Sequence, residues 1–244
     1  EKYGYVTHDD YPFGKDDGKL TIPKGSTRRE YYLDVNQMTE LYHVFIEKKY
    51  PEDWDQDWRE HAHESLGLFL VQYLCNGFNL ADAARLVYDD HYFKSGKKSF
   101  RFIRKKTEDR SDTEIVIPII EPLQKILDEI AAKPEKGALV FPQIYAGETD
   151  EKKQRARISQ ENQNIRKRLG RLVKSMGWEF APSGTWCRHS FATNLSHAGG
   201  VPKEYIQEAM GHSVMSGTVT DRYIQSYPIA QQMQFNSKLL KVGD

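Results

Sequence analysis

Residues 66–75, LGLFLVQYLC, carry a single polar side chain, Gln72. They continue WREHAHES (58–65), so the two stretches read as one helix, polar in its first half and apolar on every face in its second. A helix that is apolar all round has to be enclosed by other elements. The chain must therefore wrap further elements around residues 66–75, and Asn76-Gly77 supplies the stop.

The remaining pattern provides those elements. Asp34, with Gln37 three residues on, reads as the N-cap of a helix whose inward stripe is Met38, Leu41, Tyr42, Phe45 and Ile46. LADAARL (80–86) begins a short helix. SFRFIRK (99–105) and TEIVIPI (113–119), separated by the charged turn KTEDRSD, predict a β-hairpin with cations at its tip. Helices are expected near 120–132, 158–176, 187–198, 202–210 and 228–240, joined by short loops except over 133–157. Residues 1–30, rich in Gly, Pro and charge, read as an arm or linker, and 31–244 as the folded domain. The expected class is mainly α with a small antiparallel β-sheet (α+β).

Several functions are excluded or disfavoured. No apolar run approaches the roughly 20 residues of a membrane span, so no membrane partner is expected. The start, EKYGYVTHDD, lacks the apolar stretch of a signal peptide and an initiator Met, and reads as part of a longer chain. Cys75 and Cys187 sit among apolar residues and read as reduced core thiols of an intracellular, cytoplasmic protein. Two thiols cannot complete a zinc site, and the eight histidines show no ligand spacing. REHAHES (59–65) lacks the second histidine of a metalloprotease helix, and GKDDGKLT (14–21) is one residue short of a phosphate-binding loop. No metal or cofactor is expected.

Charge distribution says more than the net charge of zero. Residues 94–110 carry eight Lys/Arg against two acids, and residues 152–174 carry nine against one. The rest of the chain is acidic, as in EKKYPEDWDQDWREHAHE (47–64), with seven acids against three Lys/Arg. Such polarisation suits a polyanion on one side. TWCRHSFATNL (185–195) sharpens the point, because helical spacing puts Arg188 on the stripe of Phe191, Ala192 and Leu195. A buried, unpaired guanidinium costs several kcal/mol. An anion must meet it, either a carboxylate of this protein or a phosphate from outside.

The order R-H-x-F-A-T (188–193), M-G-H (210–212) and T-x-x-x-Y ending at Tyr223 resembles the catalytic domain of the tyrosine recombinases, the phage integrase family. YLCNGFNLADAARL (73–86) is similar to the family's first box, and FIRKKTEDRSDTEIVIPI to its lysine-bearing β-hairpin. YPFG and the helix from Asp34 resemble integrases of Bacteroides-type mobile elements. The resemblance makes Arg188 the second-box arginine, His212 the third-box histidine and Tyr223 the nucleophile. Lys106 matches the hairpin lysine, with Lys105 as the alternative. Two positions depart from the family pattern: Asn79 stands where the first box has arginine, and Thr185 where the second box has histidine.

The implied activity is site-specific DNA recombination through a 3′-phosphotyrosine, with double-stranded DNA as partner, a monomer in isolation and a homo-tetramer on DNA at the nucleoid. Lys97, Lys98, Lys152 and Lys153 are candidate backbone contacts. The family's N-terminal core-binding domain is expected to be absent from this stretch. The segment 228–240 either docks on a neighbouring subunit or packs on its own domain. A catalytically impaired DNA-binding protein of the same fold, and a type IB topoisomerase-like nicking-closing enzyme, are the alternatives. The lost first-box charge leads to a further expectation, that a non-homologous cation completes the pocket. Arg104, on the hairpin face of Lys106, is placed ahead of Arg85.

Overall fold

Helix α2 (Gln56–Leu74) runs through the centre of the protein, and from Ser65 to Leu74 every residue is buried. The computed structural model describes residues 31–103, 114–211 and 226–242. Around α2 pack α1 (Val35–Glu47), α5 (Glu121–Ile130), α6 (Glu151–Ser175) and α7 (Gly184–His197). The short helices α3 (Leu80–Ala84) and α4 (Asp90–Lys94) lead into β1 (Ser99–Ile103), which pairs antiparallel with β2 (Glu114–Pro118). Helices α8 (Lys203–Ala209) and α9 (Ile229–Asn236) complete the described elements, with 3₁₀ turns at Pro142–Ile144 and Ser237–Leu239. The fold is mainly helical with one small sheet, as the pattern predicts.

Local chemistry explains most boundaries. Asp34 and Gln37 form a reciprocal capping box at the start of α1. The hairpin pairs Phe100 with Ile117 and Phe102 with Ile115, which turns these four apolar side chains to the core. Cys75 and Cys187 are free and fully buried. Helix α6 begins seven residues earlier than apolar periodicity indicates. EKKQRAR offers no apolar stripe, but its residues are mostly good helix formers and the Asp150 side chain caps Lys153 N–H.

The second basic block lies wholly on α6, and it is not one surface. Ile165, Leu169, Leu172 and Val173 form its buried face. Arg168 donates to Ser65 Oγ at 3.0 Å and lies 3.5 Å from Glu161. The Arg171 guanidinium stacks over Trp54 and Trp58, at 4.8 and 4.5 Å from the ring centres. These two arginines tie α6 to the central helix and the loop before it. In the first block, Arg101 lies between Asp89 at 3.7 Å and Glu114 at 3.3 Å.

A half-buried histidine joins α1, α2 and α5. His63 lies flat on Phe45, with Nδ1 2.8 Å from Tyr50 Oη and Nε2 2.9 Å from Glu129. Burial lowers its pKa below the ordinary 6.5, outweighing the pull of Glu129. The neutral ring then donates from Nε2 to Glu129 and accepts the Tyr50 hydroxyl at Nδ1. The unfolded imidazole binds its proton first on acidification, so stability should fall as pH drops from about 6.5 towards the lower folded pKa. Denaturant unfolding across this window should show that fall, and His63→Phe should flatten it. Equal pH dependence in both proteins would refute the assignment.

Candidate active site

The first-box turn and the second-box helix meet through a glycine. Helix α2 ends in two left-handed residues, Asn76 (φ 55°) and Gly77 (φ 67°). A Cβ on Gly77 would stand 3.0 Å from Arg188 Cα, so the turn can approach α7 this closely only as glycine. Asn76 is fully buried, donates to Val116 O at 2.9 Å and accepts from Asn236 Nδ2 at 2.9 Å. The third box is set in a similar way. Gly211 has φ 67°, and a Cβ there would fall 2.5 Å from Ile115 Cδ1, so the turn closing α8 lies directly on β2.

Arg188 is held at this junction. It is half-buried, with Nη2 donating to Met210 O at 3.0 Å and Nη1 to Gly77 O at 3.5 Å. The two carbonyls come from the first-box and third-box turns, and they orient the guanidinium. It opens on a cleft of about 760 Å³, lined by Gly77, Asn79, Thr185 and His189 as well as by residues of α6. The predicted inward position of Arg188 therefore lies on the wall of an open cleft. At the cleft floor, Gln72 Oε1 is buried with no hydrogen-bond partner among the described residues.

Both departures from the family pattern line this cleft. Asn79 uses its side chain to cap α3, accepting from Asp82 N–H at 2.8 Å. Thr185 lies in the first turn of α7, its Oγ1 3.0 Å from Ser183 Oγ. Arg85 does not fill the gap. It pairs with Asp82 at 3.4 Å, stands over the Phe102 ring at 5.1 Å, and is not among the cleft residues. Arg104, Lys105, Lys106, His212 and Tyr223 lie outside the described residues.

The four candidate lysines are exposed, and none lines the cleft. Lys97 and Lys98 form the turn between α4 and β1, with Lys97 left-handed at φ 64°. Lys152 and Lys153 open α6, and Lys153 Nζ is 3.9 Å from Glu148. The cleft cations that sequence reasoning missed are Arg155 and Arg166. Their signal was the run Arg155, Ile158, Ser159, Asn162 and Arg166, spaced along one helical face.

Likeness to solved structures is distant. XerA recombinase is 16% identical with a TM-score of 0.47; the match covers 89% of this chain and 66% of that one. The integrase from mycobacterium phage Brujita is 14% identical with a TM-score of 0.45; the match covers 86% of this chain and 73% of that one. No curated protein sequence matches the chain. The phage integrase family profile, however, matches residues 32–228, from before α1 to the start of α9 and across all three boxes. The chain belongs to the phage integrase family, the tyrosine-type site-specific recombinases.

Proposed function

We propose that this chain cuts and rejoins double-stranded DNA at a specific site by way of a 3′-phosphotyrosine, acting as the catalytic domain of an integrase. The observation that carries the reading is Arg188, fixed by backbone carbonyls from two other boxes and lining an open cleft. A fork of donors held in place suits two non-bridging phosphate oxygens, and its contribution grows as charge builds in the transition state.

In the proposed step the Tyr223 hydroxyl oxygen attacks phosphorus and loses its proton. The bond to the 5′ oxygen breaks, and Lys106 protonates that leaving group. His212 hydrogen-bonds the phosphate or assists proton transfer. The phosphodiester energy is kept in the phosphotyrosine, so attack by a 5′ hydroxyl reverses the step without ATP. The ends of the stretch carrying His212 and Tyr223 support this arrangement. His212 follows Met210, the partner of Arg188, by two residues. Tyr223 precedes Ser226 by three, and both Ser226 and the Tyr227 N–H hydrogen-bond Glu208 on α8.

A nicked duplex that loses its 5′ fragment on cleavage traps the intermediate and tests the proposal. A covalent adduct at Tyr223 is expected, and failure to form one favours the impaired DNA-binding protein, which the Asn79 position supports. Strand exchange between two duplexes then separates a recombinase from a nicking-closing enzyme. The tetramer on DNA belongs to the same reading.

Binding should be steeply salt-dependent despite zero net charge. Each cation withdrawn from a phosphate should reduce the slope of log K against log salt by about 0.9. Neutralising Lys97, Lys98, Lys152 and Lys153 together should flatten it. Lys152 should weigh more than Lys153, because Glu148 already faces the latter. An unchanged slope in the fourfold variant would place the DNA surface elsewhere.

A further inference from the structure

Attack on a phosphodiester builds charge on two non-bridging oxygens, and the loss of one donor to such charge costs about 10²–10³ in rate. In this chain the side chain at the first-box position is an amide already committed to capping α3. The cleft is also lined by the face of α6 bearing Arg155, Ile158, Ser159, Asn162, Gln163 and Arg166. Arg155 is paired with Glu151 at 2.7 Å. Arg166 is exposed in the cleft and makes no hydrogen bond or ion pair among the described residues. Its neighbours Arg168 and Arg171 are engaged on the other side of the helix, with Ser65 and Glu161 and with two tryptophans.

We propose that Arg166 supplies the guanidinium missing from the first box, meeting a non-bridging oxygen of the scissile phosphate in the cleft it shares with Arg188. The chain would then compensate the same charge from a different helix, with Asn79 released for a structural task. The proposal rests on reading the cleft as the scissile-phosphate site.

The probe is a nicked duplex recovered from a random-sequence pool by covalent retention on the wild-type protein. Arg166→Ala should slow adduct formation by about 10²–10³-fold, and Arg166→Lys should retain part of the rate. Because Arg166 has no polar partner among the described residues, its variants should unfold at the wild-type temperature. A second duplex carries a methylphosphonate at the scissile position, which removes the charged oxygen. On it the deficit of Arg166→Ala should largely vanish. A wild-type rate for Arg166→Ala, or an equal deficit on both duplexes, overturns the proposal.

If the wild-type protein forms no adduct with any duplex, the recombinase reading fails by itself. Arg166 is then tested by equilibrium binding to duplexes selected for non-covalent retention, with a methylphosphonate placed at each phosphate in turn. Wild type should lose affinity at a phosphate to which Arg166→Ala is indifferent. Identical profiles for the two proteins would refute the contact.

Discussion

Tyr223→Phe should abolish the covalent DNA adduct and leave affinity for duplex DNA nearly unchanged. The substitution removes one oxygen and keeps the ring. A phenol has a pKa of about 10, so it needs neighbouring cations to attack at neutral pH, but no cation can replace the attacking atom. Adduct on a denaturing gel, beside mobility shift of the intact complex, reads the two properties separately. The chain has 14 tyrosines, so the outcome discriminates. Tyr227 is the nearest rival in sequence. Burial and the charges of Glu204 and Glu208 raise its pKa, and its ring packs edge-on against Tyr205 and Phe235. These features disfavour a nucleophile and suit a structural residue. A surviving adduct that maps to Tyr227 or elsewhere would overturn the assignment.

Arg188→Ala should reduce the rate of adduct formation by at least about 10²–10³-fold, the usual cost of losing one donor to developing oxyanion charge. It should also lower stability, since the carbonyls of Gly77 and Met210 lose a charged donor. Leaving a buried acceptor unpaired costs about 1–3 kcal/mol. Arg188→Lys keeps the charge but cannot span both carbonyls and a phosphate as a planar fork, so it should recover stability better than rate. Thermal unfolding and single-turnover cleavage of the three proteins test this split. Wild-type cleavage by Arg188→Ala would remove the central residue of the proposed mechanism.

What could be foreseen from sequence was local. The apolar run of α2, the Asp34–Gln37 cap and the alternation of the hairpin strands each lie within a few residues of the structure they specify. The inward stripe of α7 already exposed the problem posed by Arg188. Helix α6 shows the limit. Arg166, Arg168 and Arg171 look alike in a basic run, and their roles separate only through partners from distant parts of the chain. Arg168 meets Ser65, Arg171 meets Trp54 and Trp58, and Arg166 faces the cleft. The buried amides Asn76 and Asn236 were equally hidden, because each reads as a surface or turn residue until the other is placed beside it.

That last pair has a consequence for how copies of the chain deal with one another. Helix α9 is seated on its own domain. Tyr205 hydroxyl donates to Asn236, Asn236 donates to Asn76, and the carbonyl of Leu239 accepts from Tyr73. Seat and occupant share one polypeptide, so the occupant is present at the high effective concentration that a short tether imposes. Dilution does not release it, and a free copy in solution competes poorly. A neighbour's helix gains ground only when the neighbour is itself tethered nearby, as two molecules on one DNA site would be. Were this helix exchanged between copies, the exchange would depend on co-occupancy of a template far more than on the abundance of the protein.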